Sequence, residues 1–302
     1  MIAVQLFLLR ALFFAVRCIP VRLAGAMGAG LCRLLFYVLT RNRRITEANL
    51  KRVYPDKSRA WRRKMARESF AEVGRTAFEA PHVFLRSQEF LLSRITVSGA
   101  EVLDDALAEG KGVFIVAAHH SNWELESLAL CMLGYDFTVI YHPMKNPAMD
   151  AYLKQCRTRF GGGVQSRHDG LRWLPKALKQ GKMIGVVIDQ HMSTGIQVPF
   201  MGHLANTTAL PASYIQRKPT PVIAVVLNRV GVDFQFELHI QRIAMPTLGK
   251  SKDANTYHMM QSIGEHFATI IHERPELWMW LHRRWYILEQ DEKIAKVIHG
   301  TP

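Results

Sequence analysis

The chain has 302 residues, 49% hydrophobic and 21% charged, and no low-complexity or Pro/Ser-rich linker; this composition excludes a disordered or multi-module protein and suits one elaborated domain with a large core. Its 39 lysines and arginines against 25 acidic residues give a net charge of +14, which attracts nucleic-acid phosphates, anionic lipid headgroups or an acidic protein without choosing among them. The cysteines, Cys18, Cys32, Cys131 and Cys156, include no Cys-x-x-Cys pair, so free and mostly buried thiols in a reducing compartment are expected rather than a zinc or thioredoxin-like centre.

The first 40 residues are the most apolar part, yet Arg10, Arg17, Arg22 and Arg33 interrupt every run. No uninterrupted apolar stretch reaches the roughly 18 to 20 residues that span a bilayer. Arginines on one side of an apolar helix lie instead at headgroup level with their stems buried, so residues 1–40 are read as an embedded amphipathic anchor and residues 41–302 as the catalytic domain. Arg10 and Arg17 also break the apolar region that a cleaved signal peptide would need before Ala24-Gly25-Ala26. Arg41, Arg43, Arg44, Lys51 and Arg52 follow the anchor, which places the body of the protein on the cytoplasmic side.

From Ser58 to Phe90 the apolar residues Trp61, Met65, Phe70, Val73 and Phe78 mark the buried stripe of a helix. Beyond Val97 strands and helices alternate. Strands are predicted at 113–117, 137–141, 183–188 and 222–227, and helices after Ser121 and at about 147–159, 171–180 and 209–217, with a turn at Gly161-Gly162-Gly163. This order predicts an α/β fold with a mostly parallel central sheet flanked by helices. An added antiparallel strand is expected at 234–240, and a closing helix over 255–273 that ends before Pro275.

The strand Val113–Ala117 runs into Ala118-His119-His120-Ser121-Asn122-Trp123-Glu124, at the carboxyl end of a strand where open α/β sheets bind their ligands. With Ser121 as N-cap, Glu124 projects from the first helical turn towards His119, where it can fix the imidazole tautomer and make His119 a general base. The same Ser-x-x-Glu spacing also describes a capping box, and spacing does not separate the two. His120 fits a core role better than that of base, Asn122 a contact at the helix terminus, and Trp123 packing.

The stretch resembles the signature of the lipid A biosynthesis late acyltransferases, and further blocks occur in that family's order. They are Tyr141-His142-Pro143-Met144-Lys145-Asn146-Pro147, then Arg157 and Arg159; Asp189-Gln190 followed by Val198 to Gly202 and Thr207-Thr208; and Pro275 to Trp285. Asn49-Leu50 and Tyr54-Pro55 extend the resemblance behind the anchor. His142 stands where arginine is usual, Met201 where an aromatic is common and His191 where the Asp-Gln block often continues with an acidic residue.

The resemblance implies transfer of a fatty acyl group from acyl carrier protein, or coenzyme A, to a hydroxyl of a phosphorylated lipid A precursor at the cytoplasmic face of the inner membrane. His119 would be the base and Glu124 its partner, with Asn122, Arg159, Arg167, Asp189 and Gln190 contacting substrate and no metal or cofactor required. Arg159 and Arg167 suit phosphate or oxyanion oxygens because arginine makes charge-assisted, forked hydrogen bonds.

Two rival readings are weaker. His119, His120, Glu124, Asp189 and His191 are metal-ligand types, but their spacing fits no zinc pattern. Arg283-Arg284 beside Trp280, Trp285 and Tyr286 offers the basic-aromatic interleaving of a nucleic-acid surface, yet no nucleic-acid motif accompanies it and no nucleic-acid partner is expected.

Overall fold

The computed structural model describes residues 2–285. Two helices, α1 (Ile2–Cys18) and α2 (Val21–Val38), open the chain; the expected single anchor is thus broken, at Pro20, whose missing N–H cannot continue the first helix. Helices α3 (Thr40–Val53), α4 (Arg59–Leu85) and α5 (Gln88–Leu92) follow. Next come β1 (Ile95–Ser98), α6 (Ala100–Ala108), β2 (Val113–Ala117), α7 (Trp123–Met132), β3 (Phe137–Tyr141), α8 (Pro147–Arg157), β4 (Gly163–Ser166), α9 (Leu174–Lys179) and β5 (Met183–Val187). The hairpin of β6 (Ile196–Phe200) and β7 (His203–Thr207) leads to α10 (Leu210–Ile215), β8 (Val222–Arg229), β9 (Phe236–Arg242) and α11 (Lys252–Glu273).

The central sheet has seven strands among the described residues, in the order β1-β9-β8-β2-β5-β3-β4. β8, β2, β5, β3 and β4 run parallel, β9 is antiparallel to β8, and β1 runs alongside β9. The α/β class and the mostly parallel sheet are as the alternation predicted. The expected antiparallel strand near 234–240 is β9. Edge strands β1 and β4 and the β6–β7 hairpin were not predicted: each is short, and only the sheet or the β6–β7 pairing gives them partners.

Val113, Phe114, Ile115 and Val116 of β2 are all buried, because helices cover both faces of the sheet at its centre. One core layer gathers Phe70, Phe114, Ile184, Phe200, Met260 and Phe267, and the other Ile115, Leu128, Phe137, Val225 and Leu238.

Helix α2 packs along α4 at the shortest distance two helices can reach. A Cβ at Gly28 would stand 2.2 Å from the Gly74 carbonyl oxygen, and one at Gly74 2.2 Å from that of Gly28, so only glycine at both positions allows the contact. The outer side of α2 nonetheless exposes Leu23, Met27, Leu31, Leu34 and Val38, and α1 exposes Phe7, Leu8, Leu12 and Phe14. Val21–Val38 has the length and apolarity of a membrane span.

Candidate active site

The turn from β2 to α7 departs from the expected capping pattern. Ser121 is buried and holds φ at 49°, a left-handed conformation that costs a non-glycine residue energy and is kept where its surroundings over-determine it. Here they do: Ser121 N–H donates to Leu277 O at 2.8 Å, and Thr76 Oγ1 donates to Ser121 O at 3.0 Å. Ser121 is therefore not the N-cap, a position that needs extended φ/ψ. Asn122 caps α7 instead, its Oδ1 accepting from Leu125 N at 3.1 Å while its Nδ2 donates to Glu79 Oε2 at 2.9 Å. Asn122 is fully buried and its amide is engaged on both sides, so it positions the start of the helix.

The left-handed turn also re-aims His119. Its Nδ1–H donates to Asp189 Oδ1 at 2.9 Å and its backbone N–H to Asp189 Oδ2 at 2.8 Å. Asp189 follows the end of β5, the neighbour of β2, and is fully buried. Trp278 Nε1–H donates to the same Oδ2 at 2.7 Å. Burial works against the Asp189 charge, but the adjacent His119 ring, its hydrogen bonds and nearby His282 hold the carboxyl well below the usual carboxylate range.

Glu124, the expected partner of His119, is taken by Arg157 of α8, with Nε to Oε2 at 2.9 Å and Nη2 to Oε1 at 2.5 Å. The sequence spacing assumed a first turn starting at Ser121. The observed N-cap is Asn122, one residue later, and this shift turns Glu124 to α8 and leaves His119 to Asp189.

With a proton on Nδ1, the Nε2 of His119 is the acceptor nitrogen, and the residue lines a cavity of about 410 Å³. Gln190 Nε2 donates to it at 3.1 Å and lies 3.2 Å from His282 Nε2. Burial pushes His282 down to about 4, with His119 and Arg284 adding to the effect, so a neutral His282 accepts from Gln190. The Trp123 ring stands edge-on to His119 at 5.4 Å.

The cavity deepens between α7 and one face of the sheet. Its walls include Ile115 and Ala117 of β2, Phe137 and Val139 of β3, Gly185 and Val187 of β5, and Leu130 of α7, alternate strand residues that point to one side. Gly185 makes room for the Phe137 ring in this wall, since a Cβ there would meet Phe137 Cζ at 2.5 Å. At the mouth stand His142, Arg167 and His191, with His168 Nε2 3.3 Å from His142 Nδ1. An apolar slot with one imidazole at its entrance and Arg167 among histidines at the rim suits a hydrocarbon chain that ends in a polar group.

Of the expected substrate residues, Gln190 and Arg167 line the cavity, Asp189 holds His119 from behind, and Arg159 lies outside on the far side of α8. His120 is buried with its Nε2 at 2.9 Å from Asn228 Oδ1, the core role expected of it. The rival metal set is scattered, and no group of three His, Cys, Asp or Glu that could hold a metal occurs among the described residues. Arg284, Trp280 and Trp285 are buried, so they form no stacking surface for bases; Tyr286 lies outside the described residues. Arg284 Nη1 donates to Asn206 O at 2.8 Å and Nη2 to Thr207 Oγ1 at 2.6 Å. This is the work of the C-terminal motif: Leu277, Trp278 and Met279 stitch the catalytic turn in place, with Met279 N–H on His119 O at 3.0 Å.

The family model for "Bacterial lipid A biosynthesis acyltransferase" matches residues 2–286. The chain belongs to this family, and it is an acyltransferase. It is 26% identical over 271 residues to the lipid A biosynthesis lauroyltransferase of Escherichia coli, covering 88% of this chain and 86% of the relative. It is 23% identical over 269 residues to a lipid A biosynthesis acyltransferase of Haemophilus influenzae, covering 87% and 81%. A phosphatidylinositol mannoside acyltransferase of Mycobacterium tuberculosis is 22% identical over 223 residues, covering 72% and 68%.

The acyltransferase should lose stability on mild acidification. Burial lowers both His82 and His120 to about 4, against about 6.5 in an unfolded chain. Between those values the unfolded state takes up protons that the folded state refuses, so stability falls as pH drops below about 7. Each histidine contributes a loss on the order of 1 kcal/mol by about pH 5.5. Denaturant titrations at pH 7.5 and 5.5 read the difference, and an unchanged midpoint would contradict it.

Proposed function

We propose that the acyltransferase moves a fatty acyl group from a thioester of acyl carrier protein, or of coenzyme A, to a hydroxyl of a phosphorylated lipid A precursor at the cytoplasmic face of the inner membrane of a Gram-negative cell. The observation that carries this reading is His119, backed at Nδ1 by buried Asp189, with its acceptor nitrogen Nε2 on Gln190 at the wall of an apolar cavity. His119 Nε2 takes the proton of the acceptor hydroxyl as that oxygen attacks the thioester carbonyl. Asp189 balances the imidazolium, and collapse of the tetrahedral intermediate expels the thiolate, which recovers the proton from His119. Once the acceptor hydroxyl takes the place of Gln190 on Nε2, the freed Gln190 amide is a side-chain donor in the same cavity for the oxyanion.

No acyl-enzyme is required. Ser127 lines the cavity, but its hydroxyl donates to Glu124 O at 3.0 Å. The Glu124–Arg157 pair fixes α8 against α7 and sets the wall beside the base, so Glu124 serves the reaction as a positioning residue. Arg167 and the histidines at the mouth meet the phosphate of the carrier arm and its acidic protein. Residues 1–40 anchor the enzyme through the exposed apolar sides of α1 and α2, while Arg17, Arg22 and Arg33 bond to Leu85, Asp233 and Glu68 of the protein itself.

A second acceptor class, another membrane glycolipid, is favoured by the relative named a phosphatidylinositol mannoside acyltransferase. The deciding experiment incubates the detergent-solubilised enzyme with an acyl carrier protein thioester and each acceptor, and follows products by mass spectrometry. A mass increase of one acyl chain on the lipid A precursor, lost in His119→Gln, is expected. Acylation of the mannoside alone would replace the acceptor, and undiminished transfer by His119→Gln would overturn the mechanism.

A further inference from the structure

Arg159 lies across α8 from the catalytic cavity, at the edge of a second concavity formed by α1, the end of α4 and α8. Its walls are apolar, with Phe7 and Phe14 from α1, Phe84 and Leu85 from α4, and Tyr152 and Cys156 from α8. The groove exists because α1 is docked: Phe13 stacks on Phe84 at 6.3 Å and meets the Tyr152 ring at 5.9 Å. Arg17 Nε donates to Leu85 O at 3.2 Å, and Asn146 Nδ2 donates to Gln5 Oε1 at 3.0 Å.

Arg10 and Arg159 are its charged groups, and no aspartate or glutamate lines it. Both guanidinium groups are held over rings, Arg10 at 5.1 Å from the Tyr152 centroid and Arg159 at 4.3 Å from that of Phe160. Such contacts pre-orient the cations. Both side chains remain exposed at the rim. An apolar trough edged by two oriented guanidinium forks is complementary to a phosphate attached to a hydrocarbon chain.

The position selects the lipid. Phe7, Leu8, Leu12 and Phe14 of α1 are exposed beside the groove, so a lipid enters it from the same layer in which α1 would lie. Helix α8 is shared, with Arg157 on the catalytic cavity and Cys156 and Arg159 on the groove. One helix diameter, about 10 Å, then separates the two spaces. The donor's chain fills the deep cavity behind His119, which leaves the acceptor to approach from the membrane side.

We propose that the α1–α8 groove seats the acyl acceptor, its apolar walls holding one hydrocarbon chain of a phosphorylated lipid and Arg10 and Arg159 its phosphate. This assignment rests on the acyl-transfer reading above. Steady-state kinetics of the full-length enzyme in detergent micelles, with an acyl carrier protein thioester and the phosphorylated lipid A precursor, test it. In the Arg10→Ala/Arg159→Ala enzyme the acceptor KM is expected to rise about tenfold or more, the loss of charge-assisted hydrogen bonds, while the donor KM moves far less. Arg10→Lys/Arg159→Lys should recover part of that loss, as a charge without the fork would.

Removing the acceptor's phosphate should raise the wild-type KM similarly and leave the double-alanine enzyme indifferent. An unchanged acceptor KM with transfer intact, or a variant effect equally large on dephosphorylated acceptor, would overturn the groove while leaving the acyl-transfer reading standing. Failure of the wild-type enzyme to acylate any lipid would remove both.

Discussion

Replacing Asp189 by asparagine is expected to lower kcat by about 10³ to 10⁴ with little change in KM, because it removes the base by changing its tautomer rather than by displacing it. Asp189 Oδ2 receives two N–H donors, His119 N at 2.8 Å and Trp278 Nε1 at 2.7 Å. An asparagine must keep its oxygen there, since an amide nitrogen would oppose both donors. Its NH₂ then occupies the place of Oδ1, facing His119 Nδ1 at the present 2.9 Å. Donating to Nδ1, it leaves the ring proton on Nε2, the nitrogen that must accept from the hydroxyl. Nitrogen-15 NMR of the His119 ring would show the proton moving from Nδ1 to Nε2, and kinetics would show the loss. Glu124→Gln should leave that tautomer as it is. An Asp189→Asn enzyme with more than a tenth of wild-type kcat would refute the assignment.

The roles of Asp189 and Glu124 also show where sequence reasoning reached its limit. The buried strand Val113–Ala117, the helix behind it and His119 between them were legible, because burial and turn chemistry are local properties of sequence. The direction of Glu124 depended on where α7 starts. That was decided by Thr76 and Leu277, distant in the chain, which hold Ser121 in its left-handed conformation. Asp189 was legible as part of the Asp-Gln block, but as a substrate contact. Its pairing with His119 follows from β5 lying next to β2, a neighbour relation that alternation of strands and helices does not specify. Arg157 was visible in the sequence and differed in no local signal from Arg159. One lines the cavity and the other the far side, because Arg157 is the last residue of α8 while Arg159 lies beyond its C-cap, Thr158. His282 and Trp278 were read as parts of a terminal block without individual roles, for they act through a segment that returns to the catalytic turn from the far end of the chain.

The largest stability loss is expected at Arg229, far from any charge the sequence marked as functional. Arg229 is buried on β8 with its Nε on Glu72 Oε1 at 2.7 Å, Nη1 on Glu79 Oε1 at 2.9 Å and Nη2 on Glu79 Oε2 at 2.7 Å. Burial raises Glu79 above the ordinary carboxylate range even beside this cation. Arg229→Met fills similar space but leaves buried Glu79 without a counter-charge and Glu72 with Arg75 alone, a change that costs about 3 to 5 kcal/mol. Replacing the whole cluster with apolar residues of matching volume should cost far less, because the pairs offset much of their own desolvation. Chemical denaturation would measure both variants, and a loss under about 1 kcal/mol for Arg229→Met would contradict the argument. Glu79 also holds Asn122 Nδ2, and Asn122 caps α7. A free Glu79 carboxyl that turns away from Asn122 releases the helix start next to His119. Arg229→Met should therefore lower kcat in molecules that remain folded, and the apolar cluster should do so as well, since it removes the anchor of Asn122 while restoring stability. Stability and activity would then separate in that variant: the ionic cluster earns its place in the core by fixing the turn that carries the base.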